Sequence, residues 1–224
     1  MIKTFAPNIE EFLALCKPGT HIADIGCFGW RLAAQCAQQQ LLYTGVDCAS
    51  PPGKPTSAKF LPMLGPRILG EDNQFDRTIA SHILEHLEDT GRFCHELMRV
   101  TRPGGLVWIE SPSELSLFMR ETRPAEDNSF ETFYSDPTHL RPMPPGALYR
   151  LALGAHLVPL AISRDAVDFG GGHFPVSRLI AQKPLSIPEA AYRGPRYVTL
   201  RGVAKGVAAA WTHVWPEAPP LQFD

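Results

Sequence analysis

The 224-residue sequence lacks the features that would assign it to several special classes of protein. Its five cysteines are odd in number and form no CxxC pair, which argues against a disulfide framework or a zinc site and predicts free thiols. No window approaches the ~20 apolar residues of a membrane span, and the first stretch, MIKTFAPNIEEF, lacks the apolar core of a signal peptide. A formal net charge of −2 leaves no basic excess for a nucleic acid. We therefore expect a cytoplasmic globular protein without a membrane or nucleic-acid partner.

Short apolar strands alternate with helix-length segments through the first half of the sequence. The predicted strands cover residues 21–25, 41–46, 59–63, 76–80 and 106–110, and the predicted helices cover residues 9–15, 31–39 and 90–100. A turn is expected at RPGG, residues 102–105, before the fifth strand. Such alternation is typical of a parallel sheet with helices on both faces.

The second half of the sequence is less regular. MPPGALYRLALGAHL begins with prolines and continues with helical spacing, which predicts a helix, and residues 157–162 and 176–182 are predicted to be closing strands. One helix is expected around residues 200–213. We divide the chain into an N-terminal helix (1–18), a main domain (19–183) in which 112–143 is a candidate substrate lid, and a C-terminal extension (184–224). Within the extension, the segment around residues 198–214 is a candidate dimer arm or substrate lid, so a homodimer is a candidate assembly.

The stretch DIGCFGW follows the first predicted strand and leads into a helical pattern. Gly26 permits a tight turn there, and Gly29 permits backbone angles that other residues avoid. Asp47, at the end of the second strand, is placed to accept hydrogen bonds from a ribose diol. The dinucleotide pattern GxGxxG fails, because its third and sixth positions are Phe28 and Arg31. Asp24 would repel a pyrophosphate but attract an ammonium group, so the pattern indicates a nucleoside site of another kind.

Five segments together resemble the class I S-adenosylmethionine-dependent methyltransferases over about residues 19–183. HIADIGCFGW is similar to the family's first motif, and YTGVD to the second, whose acid binds the ribose hydroxyls. FDRTIASHILEHLED resembles the fourth-strand segment with its LEHL pattern, and ELMRVTRPGGLVWIESP the helix, turn and strand that follow. YSDPTHLRPMPPGALYRLAL resembles the Asp-x-Thr-His-x-Arg stretch of many small-molecule branches.

The resemblance implies a fold, a cofactor and a set of binding residues. The fold would be a three-layer α/β sandwich around a doubly wound, mostly parallel, seven-stranded sheet (a Rossmann-like fold), with an antiparallel last strand near residues 176–182. The cofactor would be S-adenosylmethionine, with S-adenosylhomocysteine as product. The implied cofactor-binding residues are Asp24, Gly26, Cys27, Phe28, Gly29, Asp47, Cys48, Ser81 and His82.

The first motif departs from the family where Phe28 and Trp30 occupy glycine positions. Gly29 would then supply the flexibility one residue out of register. The two rings would either pack on the sulfonium of the cofactor, which favours an aromatic face, or, for Trp30, pack in the start of the helix. The acid that some members carry on the third strand is absent from KFLPMLGPRIL, so adenine is expected either to stack between apolar side chains such as those of residues 61–64 or to bind backbone groups.

Methyl transfer from a sulfonium depends chiefly on positioning, and an oxygen acceptor also benefits from a general base with a pKa near neutrality. The candidate catalytic residues are His139, His86 and His82, and the candidate substrate-binding residues are His139, Arg141 and Tyr134. Capping of the turn is the alternative role for Glu85 and His86. The expected reaction is methylation of a small molecule, at oxygen in preference to nitrogen or carbon.

No metal site is expected from the sequence. His82 and His86 are four residues apart with Glu85 nearby, but the pattern is not HExxH, and the LEHL resemblance accounts for the spacing. Two other functions stay open at this point. The first is a methyltransferase fold that serves as a binding or scaffold protein without catalysis. The second is another nucleoside-binding enzyme, such as a reductase, against which the absent GxGxxG argues.

Overall fold

The computed structural model describes residues 8–119, 132–168, 173–185, 198–202 and 210–214. Four α-helices lie in these residues: α1 Ile9–Ala14, α2 Ala33–Gln38, α3 Thr90–Val100 and α4 Pro145–Gly154. The strands are β1 His21–Ile25, β2 Leu42–Asp47, β3 Lys59–Leu64, β4 Arg67–Ile68, β5 Phe75–Ser81, β6 Thr101–Pro112, β7 Val158–Asp168, β8 His173–Gln182, β9 Val198–Gly202 and β10 Ala210–Val214.

The described strands form one sheet in the order β4-β3-β2-β1-β5-β6-β8-β7-β10-β9. Strands β3, β2, β1, β5 and β6 pair in parallel, and β8 runs antiparallel to both β6 and β7. The seven strands from β3 to β7 in this order confirm the predicted mostly parallel sheet and its antiparallel strand near residues 176–182. Three strands that the sequence did not predict, β4, β9 and β10, extend this sheet at its two edges.

The predicted helix around residues 200–213 is wrong. This segment contributes β9 and β10, which pair antiparallel with each other, and β10 pairs with the outer edge of β7. An edge strand offers a row of unpaired backbone groups, and pairing with it outweighs a weak local helical pattern.

The predicted RPGG turn also takes a different form, because it lies inside β6 as an irregular insertion. Phe75 of β5 is paired with Thr101, and Arg77, two residues on, is paired with Leu106. The extra residues of β6 therefore loop out of the ladder, and Gly104 there has a φ of +78°, which glycine adopts without strain.

Helices cover both faces of the sheet, giving the expected three layers. On one face, α3 and α4 pack Phe93, Leu97 and Leu148 into an apolar cluster. On the other face, α1 and α2 contribute to a second cluster, in which Phe12 packs against the fully buried Trp108 with ring centroids 5.4 Å apart. Both clusters exclude water from the sheet, so the strand ends are held in fixed positions.

Capping interactions determine where the helices begin. The Asn8 side chain accepts the Glu11 N–H at 2.8 Å at the start of α1, and the Asp89 side chain accepts the Arg92 N–H at 2.8 Å at the start of α3. Helix α4 begins at Pro145, where a missing N–H removes no helical hydrogen bond. Among the described helices, none has the length and hydropathy needed to cross a membrane.

The chain reverses its direction of progress across the sheet between β1 and β5. From β1 it proceeds to β2 and β3 on one side, and then to β5 and β6 on the other side. Ligands of open α/β sheets bind in the crevice at such a switch point, beyond the carboxyl ends of the strands.

The five cysteines are free thiols.

Candidate functional site

The turn after β1 has a backbone that depends on its two glycines. Gly26 and Gly29 have φ angles of +78° and +68°, in the left-handed region. The N–H groups of Gly26 and Cys27 donate to the Val46 carbonyl at 2.8 and 3.3 Å, which ties the turn to the end of β2. Gly29 therefore adopts the unusual conformation predicted for it, one residue away from the family's glycine position.

Trp30 packs inside the protein. Its side chain belongs to the apolar cluster on the α1–α2 face, the residue is 6% exposed, and its indole N–H lies 3.2 Å from the carbonyl oxygens of Pro51 and Pro52. Its ring packs edge-on against Tyr43 and Phe60. Of the two interpretations of Trp30, the structure supports packing at the start of the helix.

Gly45 on β2 makes room for this arrangement. A Cβ at Gly45 would lie 2.6 Å from the Trp30 ring and 2.6 Å from the Cys27 sulfur.

Phe28 differs from its neighbours, because it is 88% exposed. It is consequently available to a ligand beyond the turn.

Two carboxylates flank the turn on adjacent strands. Asp24 lies on β1, is buried, and accepts the Tyr43 hydroxyl at 2.7 Å. Burial raises the pKa of the Asp24 carboxyl to about 6, although the Tyr43 hydrogen bond opposes the rise. Asp47 ends β2, is partly exposed, and its Oδ1 accepts the N–H of the exposed Cys48 at 2.7 Å. The buried Asp24 is therefore suited to pair with a cation, and the accessible Asp47 is suited to accept hydrogen bonds from hydroxyl groups.

The ends of β5 and β6 carry a network of charged side chains. Ser81 donates to Glu110 Oε1 at 3.1 Å, and His82 lies between two acids, with Nδ1 3.2 Å from Glu85 Oε1 and Nε2 3.5 Å from Glu110 Oε1. Arg178 of β8 donates to Glu110 and lies over the Trp108 ring, 5.8 Å from its centroid. The chain conformation at His82 is itself unusual, with a φ of +55°.

The acids determine the charge of His82. Burial lowers its pKa, but hydrogen bonds to Glu110 and Glu85 outweigh that effect and raise the pKa to about 9. Burial raises the pKa of Glu110, but His82 and Arg178 together lower it to about 2. His82 is therefore a cation at neutral pH and cannot accept a further proton.

A cavity of about 280 Å³ opens beside this network. Its charged lining comes from Glu10, Arg31, Glu110 and Arg178, with further residues of the α1 start and of β7. Arg31 also reaches Ser81, with a guanidinium nitrogen 3.4 Å from its hydroxyl. The cavity thus lies next to the crevice at the switch point and is lined by charges of both signs.

A second group of side chains joins the turn after β5 to the segment before α4. Glu85, His86 and His139 each offer one ligand-type atom, and these atoms all lie within 4.8 Å of one another. The rings of His86 and His139 are 4.8 Å apart between centroids. The backbone adds to this connection, because the Leu140 N–H donates to the Glu85 carbonyl at 2.7 Å.

Two predicted substrate-binding residues have different surroundings. Tyr134 is 70% exposed, with its ring edge-on to Phe133. Arg141 donates to the backbone carbonyls of Leu87 and Glu88, which holds the segment against the turn after β5. Residues 120–131 of the predicted lid lie outside the described residues, as does most of the extension.

Three residues of this site were not predicted from the sequence: Glu110, Arg178 and Arg31. The position of Glu110 at the carboxyl end of a predicted strand was a usable signal, since such ends line the crevice. Arg178 had no comparable signal, because it lies in the middle of an antiparallel strand and reaches the site only through the pairing of β8 with β6.

Comparisons with known proteins agree with this geometry. Residues 23–109 match the model of a family described as a methyltransferase domain. An uncharacterised methyltransferase of Mycobacterium sp. (strain JLS) is 29% identical over 102 residues, which covers 41% of this chain and 40% of that protein. The chain thus matches well under two thirds of the length of such relatives.

Solved structures share the fold over a larger part of the chain. A SAM-dependent methyltransferase from Methanosarcina mazei superimposes with a TM-score of 0.62 at 17% identity, covering 81% of this chain and 100% of that one. The Burkholderia thailandensis 1,6-didemethyltoxoflavin-N1-methyltransferase, solved with its substrate and S-adenosylhomocysteine, gives a TM-score of 0.55 at 18% identity and covers 75% and 72% of the two chains.

The protein has the methyltransferase fold, with the glycine turn and the strand-end acids at the switch point of the sheet. Over residues 23–109 the chain is similar to the methyltransferase-domain family, and over a larger part it shares the fold of S-adenosylmethionine-dependent methyltransferases.

Proposed function

We propose that this protein transfers a methyl group from S-adenosylmethionine to a small molecule, at an oxygen atom in preference to nitrogen or carbon. The observation that carries the proposal is the pair Asp24 and Asp47, which end adjacent parallel strands on either side of a turn built on positive-φ glycines. Asp24 would bind the ammonium group of the cofactor, and Asp47 the two ribose hydroxyls. Gly26, Cys27, Gly29, Cys48, Ser81 and His82 would line the remaining cofactor surface, and Phe28 would cover it from the solvent side.

The cavity supports a small acceptor. Its volume of about 280 Å³ is near the lower end of typical ligand pockets, ~300–1,000 Å³. Arg31 and Arg178 contribute positive charge and Glu10 and Glu110 negative charge, and Arg178 pairs with Glu110, so a polar acceptor with hydroxyl groups fits this lining. A nucleic-acid strand requires a long basic surface that the net charge of −2 does not suggest.

His139 is the preferred general base. Its Nδ1 lies 2.7 Å from the Phe133 carbonyl, which only accepts hydrogen bonds, so Nδ1 carries the proton and Nε2 has a lone pair. His86 is the second candidate. His82 is a cation at neutral pH, so its role would be to hold Glu110 and Glu85 and to contact the cofactor. Tyr134 and Arg141 would act within the candidate lid, Tyr134 on the acceptor and Arg141 by holding the segment in place.

Calorimetric titration with S-adenosylmethionine, S-adenosylhomocysteine and NAD tests the cofactor assignment directly. Micromolar binding of the two adenosyl ligands without NAD binding supports the proposal, and absence of both leaves the fold as a scaffold. Asp47→Ala should weaken binding by about 10- to 100-fold, because a charge-assisted pair contributes ~1.5–3 kcal/mol. The control is Glu71→Ala, which removes an exposed acid from the loop after β4 and should bind as the unmodified protein does. Unchanged binding in a folded Asp47→Ala protein would refute the ribose assignment.

A further inference from the structure

We propose that Glu85, His86 and His139 form a binding site for a divalent transition-metal ion. The three residues come from separate parts of the chain: Glu85 and His86 from the turn after β5, and His139 from the segment before α4. One ligand-type atom from each lies within 4.8 Å of the other two. No metal site was expected from the sequence because only the spacing of His82 and His86 was compared with known metal motifs. His139 lies far along the chain and was not part of that comparison.

Hydrogen bonds fix both imidazoles in the form that binds a metal. Thr138 donates its only hydroxyl proton to Asp136 at 2.6 Å, so its oxygen accepts from His86 Nδ1, 2.8 Å away. His139 Nδ1 in turn donates to the Phe133 carbonyl. In their neutral form both rings therefore carry the proton on Nδ1 and the lone pair on Nε2. Metal-binding histidines typically donate their other ring N–H to a hydroxyl, carbonyl or carboxylate chain of this kind.

Two acids lie at the site, and one of them, Glu85, also pairs with the cationic His82, 3.2 Å from its Oε1. Glu85 is fully buried, and its Oε2 accepts the Ser111 hydroxyl at 2.8 Å, which orients the carboxylate toward the turn. Asp136 adds a second acid, with Oδ2 3.9 Å from His139 Nε2. Asp136 is thus close enough to contribute a further oxygen ligand after a small side-chain rotation.

The donor set selects a class of metal. Two imidazoles and a carboxylate are typical of Zn²⁺, Fe²⁺ and Co²⁺ sites, whereas Mg²⁺ and Ca²⁺ favour oxygen ligands alone. Bonds of about 2.1 Å place ligand atoms about 3.4 Å apart around a tetrahedral ion. The observed spread of up to 4.8 Å must therefore contract by about 1.4 Å on binding, which rotation of the partly buried His86 and His139 side chains supplies.

The ion and a general base would compete for one lone pair. On the proposed function, His139 Nε2 accepts a proton from the acceptor, whereas a bound ion would occupy Nε2 and lower the pKa of an acceptor oxygen itself. The metal assignment does not need methyl transfer, so it is tested without cofactor or acceptor.

Titration of the full-length, chelator-treated protein with Co²⁺, followed by visible absorption and by equilibrium dialysis, measures the site. We expect one Co²⁺ per chain, displaced by Zn²⁺ and not by Mg²⁺. His86→Ala and His139→Ala should each weaken binding by on the order of 100-fold, and Thr138→Val by about 10-fold through loss of the partner that orients His86. The exposed pair His95 and His156, with rings 6.1 Å apart, is the matched control, and its double alanine variant should bind as before.

Circular dichroism establishes that each variant is folded, and Thr138→Val keeps the test valid if an alanine variant is not. Three results would each overturn the proposal: no saturable Co²⁺ binding, binding that survives the His86→Ala/His139→Ala double change, or binding lost in the His95→Ala/His156→Ala control. Since the titration contains no S-adenosylmethionine, failure of the metal site leaves the methyltransferase proposal unaffected, and the reverse also holds.

Discussion

Replacing Trp30 with alanine tests whether this side chain fills the core or faces a ligand. The Trp30 residue is 6% exposed and packs against Tyr43 and Phe60. Truncating a buried tryptophan loses transfer free energy and leaves a cavity, which together cost about 3–5 kcal/mol. Trp30 has a φ of +57°, and alanine meets a similar steric penalty there, so the backbone contribution nearly cancels. Its hydrogen bonds add little, because the carbonyls of Pro51 and Pro52 can bind water instead.

Urea denaturation measures this loss as a lower midpoint at an unchanged slope. The matched control is Phe28→Ala, since Phe28 stands at another glycine position of the same motif but is 88% exposed. It should change the free energy of unfolding by about 0.5 kcal/mol or less, and weaken cofactor binding if the ring covers the cofactor. The packing argument would be refuted if Trp30→Ala lowered the free energy of unfolding by less than about 1 kcal/mol, or if Phe28→Ala lowered it by as much as Trp30→Ala does.

Three other predictions follow from the charged residues. The carboxyl of Asp24 has its pKa raised to about 6 and must ionise to bind an ammonium group, so cofactor affinity should rise about tenfold per pH unit below pH 6 and level off above it; a flat calorimetric profile from pH 5 to 8 would contradict this role. His139→Ala should lower the methylation rate by about 10²–10⁴ if His139 is the base, and a smaller loss would indicate a positioning role. Glu110→Gln removes the acid that Arg178 and His82 share, while Arg178 keeps Asp165 and His82 keeps Glu85, so it should lower the free energy of unfolding by about 1–3 kcal/mol in urea; an unchanged midpoint would show that the network does not stabilise the fold.

The central sheet could be predicted from the sequence because its strands are short apolar segments that end at turn residues. Prediction failed where an element depends on a distant partner. Strand β4 has two residues and exists only as the return of β3, and β9 and β10 form along the exposed edge of β7. A local pattern contains no information about which edge is free, so residues 200–213 were predicted to form a helix.

The candidate site likewise contains residues that could be predicted from the sequence and contacts that could not. Asp24, Gly26 and Asp47 could be selected because the carboxyl ends of parallel strands meet at one edge of a sheet. His86 and His139 were each selected from separate segments, but their close approach depends on Leu140 and Arg141 binding the turn after β5. That contact is tertiary, and the pairing of the two histidines with Glu85 appears only in the folded chain.

The altered glycine motif shows which property of the turn matters. A glycine pattern is a sequence signal for a set of backbone angles, and the turn after β1 reaches positive φ at Gly26, Gly29 and Trp30. The conformational penalty at Trp30, about 1–2 kcal/mol, is offset by burial of its ring beside Gly45, where a Cβ would lie 2.6 Å from that ring. The buried ring on the turn thus depends on a glycine at the facing position of β2. The residues of the turn differ from the glycine pattern, while the backbone has positive φ angles at the switch point of the sheet.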